Sequence, residues 1–302
     1  MKTEKSKNVY EIVTKQILDR MMAGQIPWRD VLISRKGEKP RFRNHFKGNG
    51  YSLLNALLLG EPGTYATWNQ IKEHGGKVKA GAKSHIVTYW CSFSPKDKQE
   101  EAERLEAEGL STKHLEQQTL RFYQVFNMKD VEGIAQDSEE APETVQEKAS
   151  APTDIADMVI SDYTINNSVK LVDSEGDETL YTPQEDVVSV PAKTRFLFEE
   201  DWYASLFGGL VGSTAKESRC DRKSEFERLC QGELSVKEAL TREIGSSMIL
   251  TACGLRRDQT HQQISAVCQK WIEPMKRDYR LIVYASSGAE KAAQYILGQF
   301  AQ

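Results

Sequence analysis

A stretch without a single aromatic residue, Ala135 to Thr153, divides the 302-residue chain into two parts of opposite charge. It holds two prolines among repeated Glu, Ser, Ala and Gln, a composition that buries too little apolar surface to offset the entropy of ordering. A chain interrupted in this way is expected to fold as two units, and it is long enough for each to bury its own core. The first 98 residues carry 18 Lys/Arg against 8 Asp/Glu, although the whole chain has a formal net charge of -4. From Ala135 onward the balance reverses, with 28 Asp/Glu to 18 Lys/Arg. The expected division is a basic unit over 1–134, an acidic flexible linker over 135–153 and a second unit over 154–302.

Apolar spacing supplies the elements. Val9, Ile12, Val13, Ile17, Leu18, Met21 and Met22 predict an amphipathic helix over Asn8 to Ala23, ended by Gly24 and Pro27. A short helix is expected over Ser52 to Leu59, and another opens at Thr67 with Gln70 in capping-box spacing and Gly75-Gly76 as its stop. His85 to Phe93 and Thr119 to Met128 are rich in strand formers, and the Glu- and Lys-dense segment Lys96 to Gln118 between them predicts a solvated helical excursion. In the second half two strands are expected, Val169 to Val172 and Thr179 to Thr182, around Ser174 to Asp177, and the remainder reads as helical. Ser235 with Glu238, Thr260 with Gln263 and Ser287 with Glu290 predict three helix starts, and Pro274 should kink or split the second of these helices. The fold class expected is α+β in two domains.

The basic half holds three clusters suited to a polyanion. The first runs from Trp28 and Arg29 through Lys36, Arg41, Arg43, His45 and Lys47 to Tyr51, with glycines that let backbone approach phosphate. The second is the helix start at Trp68, Asn69 and Lys72, whose backbone N–H groups favour an anion. The third is Lys77, Lys79 and Lys83 leading into the strand that bears Tyr89 and Trp90. Cations interleaved with flat rings hold single-stranded nucleic acid by phosphate contact and base stacking, whereas the alternative is a solvated cationic face over buried tryptophans. No helix-turn-helix, zinc-finger or ribonucleoprotein signature is present, so little sequence preference is expected.

Other classes are disfavoured. No apolar run reaches the length of a membrane span, and Met1 to Lys7 is polar with no apolar signal region after it, so a cytoplasmic protein is expected. The five cysteines are odd in number and form no close pair of the kind a zinc ribbon or redox motif uses. Gly208 to Thr214 lacks the lysine of a phosphate loop, no G-x-S-x-G elbow occurs, and no cofactor is implied.

Short motifs carry a resemblance. Ile26-Pro27-Trp28, Gly50-Tyr51 through Asn55, Tyr65 to Gln70, Gly76 to Lys83 and Val125-Phe126-Asn127 occur in order, and together they resemble the N-terminal domain of the ArdC antirestriction family of plasmids and phages. The resemblance implies a single-stranded DNA-binding domain that protects incoming DNA from host restriction.

It continues into the second half, which in that family is similar to zinc-dependent metallopeptidases. Leu180-Tyr181 through Pro191, Arg195-Phe196, Lys237-Glu238 through Gly245 and Ala285 to Leu297 resemble the segments around the family's H-E-x-x-H helix. Where the family has His-Glu-x-x-His followed by Ser-Thr, this chain reads Gly208-Gly209-Leu210-Val211-Gly212-Ser213-Thr214. Glycine neither ligates a metal nor accepts a proton, and His261 is the only histidine in the second half. The expectation is a degenerate, zincin-like domain with no metal and no catalysis, its motif segment a loop or frayed helix weakened by about 1 kcal/mol per glycine. The competing reading is an interaction protein whose acidic half engages a host restriction or defence protein directly.

Overall fold

The periodic residues Val13, Ile17, Leu18 and Met21 are buried along one side of a helix that begins where the Asn8 side chain accepts the Tyr10 amide. In the computed structural model, which describes residues 8–29, 31, 39–93, 104, 117–135 and 151–300, this is α1 (Val9–Met22). It is followed by β1 (Phe42–Asn44), α2 (Leu53–Leu59), β2 (Gly63–Ala66), α3 (Trp68–Glu73), β3 (Lys77–Val78), β4 (His85–Phe93), β5 (Gln117–Asn127) and β6 (Val131–Glu132). The second half has α4 (Pro152–Asn167), β7 (Lys170–Ser174), β8 (Leu180–Thr182), β9 (Val187–Pro191), α5 (Glu199–Ser213), α6 (Lys223–Cys230), α7 (Val236–Ala252), α8 (His261–Arg277) and α9 (Leu281–Phe300). The fold is α+β. No helix among the described residues is long and apolar enough to cross a membrane.

The first half is built on a four-stranded sheet of order β1-β2-β5-β4, parallel between β1 and β2 and antiparallel elsewhere. Asn55 of α2 closes the free edge of β4, donating to the Thr88 carbonyl at 2.9 Å and accepting the Thr88 amide at 2.7 Å. A two-stranded ladder of β3 and β6 stands apart, beside α3. The second half packs α5, α7 and α9 together and sets α5 on a three-stranded sheet of order β7-β9-β8.

Several expectations change. The two domains are not packed separately: besides clusters of the first half's own around Tyr65 and Ile71, Val13, Ile17, Met21, Trp28, Leu53 and Leu57 belong to the same buried cluster as Leu206, Leu240, Trp271 and Ile282. Polar contacts follow this seam, with Thr14 Oγ1 donating to the Tyr279 carbonyl at 2.7 Å and Ser247 Oγ to the Trp28 carbonyl at 3.0 Å. Ser287 starts no helix, because the apolar run Leu281 to Val283 is already helical and buried. Pro274 does not split α8; it lies in the last turn, where its own carbonyl accepts the Asp278 amide. The segment Gly208 to Ser213 is neither loop nor frayed end but the C-terminal part of α5. Of the expected linker, 136–150 lies outside the described residues, as does nearly all of the helical excursion after Phe93, while Pro152 already begins α4.

Candidate functional site

Side chains alternate across a strand and directly paired residues share a face, so the register of the first sheet sorts its side chains. Phe42, Tyr65, Val87 and Val125 fall on one face and are buried there with Ala56 and Leu59 of α2. The opposite face carries Arg43 of β1, Phe122 and Phe126 of β5 and Trp90 of β4. Phe122 and Trp90 are exposed. Trp68 of α3 joins them, 54% exposed, with its ring edge-on to Phe126 at 5.9 Å. Lys72, one helical turn on, shares the face of α3 that bears Trp68.

This row of rings continues into the second half. The Trp90 ring lies 6.1 Å from Tyr284 at an interplanar angle of 30°, and Tyr284 lies 6.4 Å from Tyr10 at the same angle. The Arg280 guanidinium stands 5.5 Å from the Tyr10 ring centre. Tyr10, Phe122, Phe126, Arg280 and Tyr284 were missed by sequence reasoning. Phe122 and Phe126 were legible only as strand formers, and no local pattern links Tyr284 to Trp90.

The sequence candidates separate on the structure. Trp28 is 1% exposed and packs in the shared core, so it offers no ring to a base. Tyr89 and Trp90, adjacent in sequence, point to opposite faces and share no groove; Tyr89 pairs instead with Arg121 and lies 5.8 Å from Tyr123. Tyr51 is half-buried against Tyr65, and burial pushes its hydroxyl up to about 12. At the start of α3, a helix of six residues, Thr67 and Gln70 close a reciprocal capping box that takes up the Thr67 and Gln70 amides. Arg29 is engaged within the protein, donating to the Arg257 carbonyl at 2.6 Å. Lys79 donates to the Lys129 carbonyl at 2.8 Å, and Lys77 sits in β3 opposite Glu132. Arg41, Lys47, Asn69 and Lys83 are exposed and His45 half-buried, while Lys36 lies outside the described residues.

The motif helix of the second half is held by contacts that local propensity does not register. Arg219 and Arg222 donate to the Ser213 and Val211 carbonyls at 2.8 and 2.9 Å, capping the C-terminus of α5. Its glycines answer to close approach. A Cβ at Gly209 would stand 2.6 Å from Val188 Cγ1 and 2.8 Å from Thr179 Cγ2, and one at Gly212 would stand 2.6 Å from the Arg242 guanidinium. A Cβ at Gly208 would meet nothing within 4 Å and would face a cleft of about 760 Å³ that Arg242, Glu243, Phe196 and Leu234 also line.

These positions do not fit a divalent ion. Where the resemblance implies two imidazoles and a carboxylate, the glycines offer only hydrogen atoms, and a guanidinium fills the hollow beside Gly212. Glu243 of α7, on the wall of the same cleft, is engaged by Trp271 Nε1 at 2.9 Å and Lys270 Nζ at 3.3 Å. Among the described residues no group of three His, Cys, Asp or Glu is arranged to hold a metal.

Comparison with known proteins agrees with this architecture. Residues 7–126 match the model for the N-terminal domain of anti-restriction factor ArdC, and residues 161–288 match that for a zincin-like metallopeptidase. The solved antirestriction ArdC protein of the R388 plasmid is similar in its metal-free form, with a TM-score of 0.63 and 26% identity over 97% of both chains. Its Mn(II)-bound form has the same fold, with a TM-score of 0.64 and 24% identity over 97% of this chain and 98% of that one. Two proteins of Escherichia coli named DNA primase TraC are 26% and 25% identical over 97% of this chain. The chain spans only 20% and 27% of the length of these curated relatives. With both domain models matched in order and the solved protein aligned along nearly its whole length, the chain carries an ArdC-type N-terminal domain followed by a zincin-like metallopeptidase domain, the layout of the antirestriction ArdC protein it resembles.

Proposed function

We propose that this chain binds single-stranded DNA without base specificity along the exposed rings Trp68, Phe122 and Trp90 of its first half, and that its zincin-like domain performs no peptidase chemistry. The observation that carries the reading is the set of exposed rings Trp68, Phe122 and Trp90, with Lys72 on the helix face of Trp68, in a half of the chain with surplus positive charge. Flat rings stack on any base, whereas duplex DNA keeps its bases stacked on one another. Relatives named as an antirestriction protein and as DNA primases fit a nucleic-acid partner. Similarity to a protein named as antirestriction supports protection of incoming DNA from restriction, in a cytoplasmic setting, as the role of that binding.

Polarisation of a labelled oligothymidylate and of its duplex, titrated with the full chain across a salt series, tests the reading. Trp68→Ala, Phe122→Ala and Trp90→Ala should each weaken single-strand binding by about 1–3 kcal/mol. The salt slope should approach about -0.7 per phosphate neutralised. Equal affinity for duplex, or unchanged binding in all three variants, would overturn the interface. Stoichiometric zinc or manganese with chelator-sensitive proteolysis would overturn the second half of the proposal.

A further inference from the structure

Two arginines beside the motif helix share one carboxylate. Arg222 takes both oxygens of Glu238, at 3.1 Å from Nε and 2.8 Å from Nη2, and its Nη1 donates to Thr214 Oγ1 at 2.7 Å. Arg242 keeps one long contact, Nε to Glu238 Oε1 at 3.5 Å, and its Nη2 is buried with no hydrogen-bond partner. Each guanidinium side chain is 12% exposed and Glu238 is 1% exposed. The cluster therefore holds two positive charges against one negative, away from water, where charges are ordinarily paired.

Arg242 also lines the cleft that Gly208 leaves open. Two ion pairs of that cleft are already closed, Arg257 to Asp201 at 2.6 Å and Lys270 to Glu243 at 3.3 Å, while Arg29 donates to the Arg257 carbonyl and Arg256 is exposed. We propose that this cleft binds a ligand bearing a single carboxylate, anchored on the Arg242 guanidinium next to the position where the resemblance implies a histidine ligand. A planar guanidinium matches a carboxylate in two parallel hydrogen bonds, which supplies the missing negative charge and the missing acceptor together. Asp177, Glu178, Asp201 and Glu243 share the walls with Arg29, Arg242, Arg256, Arg257 and Lys270, a small positive excess that suits one carboxylate better than a polyanion. Phe196, Leu234, Leu250 and Val267 offer apolar wall to a neutral ligand body. The site is independent of the exposed rings assigned to DNA.

Calorimetric titration of the full chain with N-acetyl-leucine, its amide, inorganic phosphate and an acetylated pentapeptide ending in leucine tests the proposal. The acid should bind and the uncharged amide should not. Arg242→Met should weaken binding roughly ten- to a hundredfold, the usual loss with a charge-assisted hydrogen bond. Gly208→Leu should abolish binding by filling the floor, without lowering the melting temperature, since leucine favours helix over glycine. It keeps the test decisive if Arg242→Met fails to fold. Tighter binding of the peptide assigns the site to a chain end, and equal binding assigns it to a small acid; both support the proposal. Amide binding equal to acid, a preference for phosphate, binding unchanged in Gly208→Leu, or no binding by any probe overturns it.

Discussion

Asp186 shows how one side chain ties the motif helix to its sheet. It accepts from Arg219 at 2.7 and 2.9 Å, from Lys216 at 2.7 Å and from Tyr181 Oη at 2.9 Å, while Arg219 is 2% exposed. Burial alone would push the Asp186 carboxyl up, but the hydrogen bonds from Arg219, Lys216 and Tyr181 outweigh it and hold it below the usual carboxylate range. A depressed folded value means the contribution is present above the unfolded value and is lost as pH falls through the folded one. Asp186→Asn suits the site's φ of 55° but leaves Arg219 without its countercharge. It should cost about 3–5 kcal/mol in urea unfolding at neutral pH, and the gap to wild type should narrow below about pH 4. A gap that stays constant into acid would show that the charge is not its source. At this scale Gly208, Gly209 and Gly212 stood out in the sequence only through the resemblance. Their packing role did not, because it depends on Val188 and Arg242, which no local pattern connects to them.

Among the elements, signals confined to one turn of chain were readable and those needing a distant partner were not. The Thr67–Gln70 and Thr260–Gln263 boxes are reciprocal caps, and the periodic face of α1 is buried as its spacing requires. Strands β1, β2 and β3, two to four residues long, take their identity from partners elsewhere in the chain. The Ser287–Glu290 pattern is a helix interior, and Glu290 caps another helix: its Oε1 accepts the Leu53 amide of α2 at 3.0 Å, where Ser52 makes no side-chain cap. Burial pushes the Glu290 carboxyl up, partly offset by that amide. A raised folded value means the contribution is full below the unfolded value and is lost as pH rises through the folded one. Glu290→Gln, which retains an acceptor without the charge, should therefore match or exceed wild-type thermal stability at neutral pH. Glu290→Ala should lose about 0.5–2 kcal/mol with the cap. Equal losses in both variants would mean that the buried charge carries no penalty.

On the scale of the molecule, the aromatic-free segment marks a boundary in sequence that the largest buried cluster crosses, while two smaller clusters stay within the first half. The apolar face of α1 packs against α8, and Trp28 lies under α7, so α1 belongs to the first half by position and to the second by burial. Amphipathic spacing states that a face is buried and leaves open against what, which is why the charge map divided the chain more sharply than its packing does. The same seam carries the ring row from Trp90 to Tyr284 and Tyr10, so half of that site was visible in the basic segment and the rest was not. A shared core makes unfolding of either half expose apolar surface of the other. Calorimetry of the full chain should accordingly give one transition whose van't Hoff and calorimetric enthalpies agree. A fragment of residues 1–134 should bind a hydrophobic dye and melt without cooperativity, because Val13, Ile17, Met21 and Trp28 lose most of their neighbours. Two resolved transitions in the full chain, or a fragment that melts cooperatively and leaves the dye free, would show that the seam is a contact between independent domains.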